Sequence, residues 1–333
     1  TINIIFNPLG EIIYSKINRI NVGQDTENQY LEVAKQPTFM TNIVKNYFRV
    51  LEVISSLNIE LDFKSGIGRK QKMSDIEVVA LSLTAEFMSI DSENSLFKQL
   101  LPGEISNLIE RSQFNKRRKK LFLFSEQIRR ELAAKFICFE DYFIVDSMPL
   151  EICKFSRHNR IKICKNDFET APSKGFCASQ NSWFFGYKLH GVCSVSGVFH
   201  SLDITKAEVH DIHFLKNIKQ QMSDCVLLGD RGYLSDSIQL DLFQSANIKL
   251  ETPKRMNQVN YKPQPYVFRK SRKRIETLFS QLCDQFLIRR NYAKTFEGFK
   301  TRILAKITAL TLVQYINKFI FDRPINNIKN QLI

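Results

Sequence analysis

Cys225-Val226-Leu227-Leu228-Gly229-Asp230-Arg231-Gly232 is a short apolar run that stops at an aspartate. A run of that length without alternation reads as a strand buried on both faces, the mark of parallel pairing. Upstream, Tyr142-Phe143-Ile144-Val145-Asp146-Ser147 repeats the pattern, an apolar strand closed by an aspartate. Between them, Phe184–Ser194 and Val198–Thr205 read as paired strands turned at Ser196-Gly197. Glu208–Met222 reads as a helix with Val209, Ile212, Leu215 and Ile218 on one face. Downstream come a helix over Ser235–Ala246, a strand over Ile248–Thr252 and long helices over Lys270–Arg290 and Phe296–Phe319.

That order predicts an α/β fold: a ribonuclease-H-like mixed sheet flanked by helices, with an antiparallel trio continued by parallel strands. In such a sheet the first and fourth strands are neighbours, so Asp146 and Asp230 meet. The helix over Lys270–Arg290 would then lay Glu276 beside them. Its core stripe is Ile275, Leu278, Phe279, Leu282 and Phe286, with Glu276 at the edge. Arg269, Arg272 and Glu276 are spaced by three and four and share a face. Three hard carboxylates of this kind suit a pair of Mg²⁺ ions about 4 Å apart, which clamp the attacking and leaving oxygens of a phosphodiester. Without metal, close carboxylates repel. Each acid has a plainer reading: a strand-end cap for Asp146, a turn residue for Asp230, a surface ion pair with Arg272 for Glu276.

Composition agrees with a polyanionic partner. The 333 residues carry 48 basic and 34 acidic side chains, a formal charge of +14, which favours nucleic acid. No apolar run approaches the roughly 18 residues of a membrane span, and no signal peptide is legible. The seven cysteines have no close pairs, so they read as reduced, intracellular thiols. Cys153, Cys164, Cys177 and His190 lack the spacing of a zinc site.

The expected organisation is an upstream segment over 1–39, a helical DNA-binding domain over 40–136, the catalytic domain over 137–322 and a tail over 323–333. Two readings of the first segment stand open. Translation natively begins at Met40, with an upstream frame before it; or Ile2–Phe6 and Gly10–Tyr14 form a genuine hairpin arm. From Ile43 to Leu57 the apolar spacing is helical. Ser74-Asp75-Ile76-Glu77 is a capping box. A further helix covers Ser92–Leu101, and a third starts near Ser112 and runs through Ile128. Together they suit a helix-turn-helix-like bundle.

The block Arg111, Lys116, Arg117, Arg118, Lys119 and Lys120 has one sign and is expected to grip phosphates, with Gln113 and Asn115 near base edges. The plainer reading is a solvated helix face. Lys154, Arg157, Arg160, Lys162 and Lys165 could track a DNA backbone after the first catalytic strand. Lys188 shares a strand face with His190, which reads as a structural histidine; Lys188 is placed with the DNA contacts, as are Arg269, Arg272 and Lys273. His210-Asp211 reads as a helix start. Trp183, the one tryptophan, reads as core packing, with stacking on a flipped base as the alternative.

Several blocks then carry a resemblance: Val145-Asp146-Ser147-Met148-Pro149-Leu150, Cys153-Lys154-Phe155, Phe185-Gly186-Tyr187-Lys188-Leu189-His190, Leu228-Gly229-Asp230-Arg231-Gly232-Tyr233, Thr252-Pro253-Lys254-Arg255 and Lys273-Arg274-Ile275-Glu276-Thr277-Leu278-Phe279-Ser280-Gln281-Leu282. In order, and with Arg111–Arg117 ahead of them, they resemble the DDE transposases of bacterial insertion sequences, nearest to the insertion sequence nine-eight-two family. The likeness spans Met40 to Phe319. It implies a ribonuclease-H-like core with Asp146, Asp230 and Glu276 as catalytic and metal-binding acids, two Mg²⁺ per site and Mn²⁺ as a substitute. It implies binding of double-stranded DNA at terminal inverted repeats and at the target, nicking followed by 3′-hydroxyl attack, a homodimer on DNA, no membrane, and a place in the bacterial cytoplasm with the nucleoid. Arg272 fits the family's arginine slot. The slots for its tyrosine and lysine hold Arg269 and Cys283. A ribonuclease-H-like nuclease that cuts without joining, and a catalytically inactive repressor derived from a transposase, are the alternatives.

Overall fold

The computed structural model describes residues 2–6, 12–17, 42–59, 71–100, 104–137, 140–254, 261 and 263–329. Strands β1 (Ile2–Phe6) and β2 (Ile12–Ile17) pair antiparallel as a separate two-stranded sheet. The second strand lies further along the chain than Gly10–Tyr14. The connection over 7–11, and Met40, lie outside the described residues.

Among the described residues, the α-helices that follow are α1 (Asn42–Ser56), α2 (Asp75–Phe87), α3 (Glu93–Leu100), α4 (Arg111–Lys120) and α5 (Phe122–Ile137). The capping box forms at the start of α2: Glu77 N donates to Ser74 Oγ at 3.3 Å, and Ser74 N donates to the Glu77 carboxylate at 2.5 Å. The single helix expected through Ile128 is two. The backbone leaves the helical basin at Leu121 (φ −87°, ψ 17°), and α5 starts afresh with Leu121 buried between them.

The main sheet contains β3 (Tyr142–Cys153), β4 (Ser173–Cys177), β5 (Ser182–Ser194), β6 (Phe199–Lys206), β7 (Cys225–Leu228) and β8 (Ile248–Glu251). Its order is β6-β5-β3-β7-β8, with β4 pairing the outer part of β5. β3, β5 and β6 are antiparallel, and β7 and β8 run parallel to β3. This is the ribonuclease-H-like arrangement. Helices α6 (Ile212–Ile218) and α7 (Asp236–Ala246) flank the parallel half; α8 (Tyr266–Asp284) and α9 (Phe296–Tyr315) follow the sheet, and α9 ends in a π turn over Ile316–Ile320.

Three details differ from the sequence reading. β3 does not end at Asp146 but continues to Cys153, because β5 keeps pairing with it from Asp146↔Gly191 to Leu150↔Tyr187. Strand β4 was not anticipated, since its five residues carry no apolar alternation. The helix expected from Glu208 begins at Ile212, after a turn at Ala207–Val209. Where β3 bulges after Glu151, Gly186 brings the two backbones together: a Cβ there would lie 2.1 Å from the Leu150 carbonyl oxygen.

The sheet has a core on each face. Phe143, Val145 and Val192 pack with Phe214, Leu215 and Leu242 of α6 and α7. Ile144, Met148 and Leu189 pack with Leu278, Leu282 and Ile303 of α8 and α9. The second core is continuous with that of α1–α5 and so does not divide at 136/137. The joining element is α9, buried along nearly its whole length. Phe296–Ile320 is the one described helix long and apolar enough to cross a membrane, and most of it lies inside the fold.

Candidate active site

β3 and β7 stay in register through Ile144↔Leu228. Two residues past that pair on each strand come Asp146 and Asp230, so parallel pairing alone places the two carboxylates side by side at the end of β7. Both point to the α8 face, the side that Ile144 and Leu228 also face. Asp146 Oδ1 accepts from Ser147 N at 2.8 Å, and Asp230 Oδ1 accepts from Gly232 N at 2.8 Å. The second bond caps a short 3₁₀ turn, Arg231–Tyr233. Asp230 is therefore a turn residue and a site acid at once.

Burial pushes the Asp146 carboxyl up to about 7, and the charges of Asp230 and Asp211 add to it; the Ser147 N–H and Arg272 oppose the shift. Among the described residues, Asp146 and Asp230 each keep one oxygen free of a protein hydrogen bond, and hard oxygen donors of this kind fit Mg²⁺.

Positive charge lines the adjoining cleft. It encloses about 430 Å³ between Asp230, Arg231, Lys254, Gln264, Arg269 and Arg272. Arg269 and Arg272 project from the first half of α8. Gln264 stands in the wall with both polar ends of its amide buried and without a partner among the described residues. Sequence reasoning passed over it, and the only signal was its place between Pro263 and Pro265, which stiffen the chain before α8.

Glu276 lies on α8 one turn beyond Arg272 and is exposed. It makes no ion pair or hydrogen bond among the described residues, so the surface pair with Arg272 does not form. Nor, among those residues, are any three His, Cys, Asp or Glu side chains gathered closely enough to hold an ion. The fold thus brings Asp146, Asp230 and Arg272 together and leaves the glutamate outside the group.

The other expected contacts divide into two sets. Arg111, Lys116, Lys154, Arg157, Arg160, Arg269 and Lys273 are exposed, and Lys119 half-exposed. Arg117 and Arg118 turn inward instead. Arg117 pairs with Asp75 and donates to the Met73 carbonyl at 2.7 Å. Arg118 is 6% exposed, pairs with Glu93 at 2.7 Å and lies over the Phe114 ring. Lys188 is also held internally, by Asp211 at 2.9 Å and the Val209 carbonyl at 2.8 Å. These three cations are structural as they stand, because α4 and β5 each bury the face that carries them. His190 is the structural histidine expected: burial pushes its pKa down to about 4, its Nε2 meets Thr205 Oγ1 at 2.8 Å, and it stacks on Phe214. Trp183, expected in the core, is 59% exposed.

Comparison with known proteins bears on this geometry. The family model described as "Transposase DDE domain" matches residues 138–312, more than half the chain. No curated protein matches. Among solved structures, a Mos1 transposase paired-end complex with left transposon end is 11% identical with a TM-score of 0.20, covering 86% of this chain and 91% of that one. A Mos1 mariner paired-end complex with Mn is 11% identical with a TM-score of 0.19, covering 87% and 92%. Likeness that distant carries no argument about the site. The family match and the adjacent aspartates of β3 and of the turn after β7 agree: the chain belongs to the DDE transposase domain family.

Proposed function

We propose that this transposase binds the ends of an insertion sequence, of the nine-eight-two kind, cuts the DNA there and joins the freed 3′-hydroxyl to target DNA. The observation that carries the reading is the pair Asp146 and Asp230, set at matching positions beyond Ile144↔Leu228 and opening beside a cationic cleft. Asp146 and Asp230 would hold Mg²⁺ or Mn²⁺, which when bound stabilises the charge on the attacking and leaving oxygens; Glu276, outside the pair in this fold, is the third acid that the family resemblance implies and would have to move toward them to take part.

The chain's own groups do the rest. Arg269, Arg272 and Lys254 receive the phosphate and orient it, Arg272 with a planar fork suited to two phosphate oxygens. Arg111, Lys116 and Lys119 on α4, with Lys154, Arg157, Arg160 and Lys273, neutralise backbone phosphates away from the reaction. Two ends must be held at once, so the working form is a homodimer on DNA, in the bacterial cytoplasm at the nucleoid.

The test is Mg²⁺-dependent cleavage and joining of DNA carrying the element's terminal repeat. Asp146→Asn, Asp230→Asn and Glu276→Gln should each lower cleavage by roughly a thousand-fold or more while keeping DNA affinity. A variant that cleaves as the parent does removes its residue from the site. Cleavage without joining makes the protein a nuclease.

A further inference from the structure

The β4–β5 hairpin carries aromatic rings that the fold leaves uncovered. Phe176 and Trp183 are direct cross-strand partners, with ring centroids 5.4 Å apart in an edge-on contact. Trp183 is 59% exposed and Phe176 46%. Side chains alternate along a strand, so Trp183 shares its face with Phe185, and Phe176 with Lys174. Phe185 is covered: Lys165 Nζ lies over its ring at 5.3 Å, His158 leans on it at 5.6 Å, and Phe155 stacks on His158 at 4.9 Å. The cover stops there, and the next cross-strand pair outward is bare.

Charge decides what would cover it. From Ile152 to Asn166 the chain carries Lys154, Arg157, Arg160, Lys162 and Lys165 and no acid. The hairpin over 173–194 adds Lys174, on the face that carries Phe176 and Trp183; Lys188 lies on the other face and is paired with Asp211. Exposed Glu151, Asp167 and Glu169 border this stretch, and the cations still outnumber them; exposed rings beside an excess of cations are a means by which unpaired nucleic acid is held, because every base offers a flat face and every linkage a negative charge. The platform does not overlap the acids. Gly191, the partner of Asp146, lies eight positions beyond Trp183 on β5, roughly 26 Å at about 3.3 Å per residue.

We propose that Phe176 and Trp183 form a stacking platform for an unpaired DNA base that flanks the reacting phosphate at a distance. This rests on the reading of the chain as a DNA transposase.

Trp183 is the one tryptophan, so the intact protein reports its own contact. Titration with a short mixed-sequence single-stranded oligodeoxynucleotide should quench its emission, and the fully paired duplex should quench it far less. By anisotropy, Trp183→Ala and Phe176→Ala should each weaken single-strand affinity about ten-fold, with Trp183→Phe near the parent and duplex affinity unchanged. Circular dichroism melts check that these exposed substitutions leave the fold intact. Bound oligonucleotide without quenching, equal quenching by duplex, or parental affinity in Trp183→Ala overturns the proposal. An emission shift that follows protein concentration without DNA assigns the rings to self-association and overturns it too. If the parent binds neither single strand nor duplex, the DNA reading itself fails and the platform with it.

Discussion

At Asp146, burial and the neighbouring Asp230 both favour the protonated acid, and its pKa stands at about 7 instead of 3.8. The unfolded chain ionises this group at its ordinary value. Ionisation therefore begins to cost stability above pH 3.8, and the cost is complete once pH passes about 7. Asp146→Asn removes it. In metal-free protein above about pH 8 the variant should be more stable, by at most about 4 kcal/mol; near pH 4 the gain should vanish. Thermal melts at the two pH values check this, and equal melting temperatures at both would show that the carboxyl is not so held. Mg²⁺ should raise the parent's melting temperature and leave Asp146→Asn less affected, since only the parent offers the full pair of acids.

At the scale of one element, α4 separates its arginines by face. Arg118 sits between Glu93 and Glu86, 2.7 Å and 4.0 Å away, and Arg117 ties α4 to Asp75 at the start of α2. Arg118→Ala removes the cation paired with Glu93 and one of three cations near Glu86, and should cost about 3 kcal/mol, seen as a lower denaturant midpoint. Arg111→Ala with Lys116→Ala should leave that midpoint within about 0.5 kcal/mol, while weakening DNA binding and flattening its salt dependence. If Arg118→Ala proves as stable as the parent, its ion pairs contribute nothing.

Across the whole molecule, the tie is a buried charge cluster that no local reading reveals. Glu86 of α2 meets Arg302 at 3.2 Å and also pairs with Lys306, both on α9, and both faces are almost fully buried. Burial alone would raise Glu86, but Arg302, Lys306 and Arg118 together hold it below the ordinary carboxylate value. Two predictions belong here. A fragment starting at Glu140 leaves Arg302 and Lys306 without Glu86 and α9 without half its core, so it should show no cooperative melt. And in the Asp146→Asn variant, which lacks the opposing gain that the Asp146 carboxyl gives as it reprotonates, stability should fall as pH drops from 6.5 toward 4. Burial holds the pKa values of His190 and His200 at about 4, so both are neutral in the fold and charge earlier in the unfolded chain. Protonation of Glu86 deepens the loss at the acid end. A melting temperature flat over that range would contradict the buried, neutral histidines.

The apolar runs over 142–145 and 225–228 determined the sheet by themselves, because a strand buried on both faces has no other composition open to it. They placed Asp146 and Asp230 as the first charges past the two apolar runs. The capping box at Ser74 was equally legible, being local in sequence. Only the tertiary structure decided which cations of α4 face solvent, since a run of like charges does not say which side a partner will bury. It alone joined Glu86 to Arg302, 216 positions apart, and extended β3 past Asp146, because β5 supplies the pairing there. It alone showed Trp183 to be 59% exposed: an aromatic residue beside apolar ones reads as core until the folded sheet shows that, among the described residues, no element covers that end.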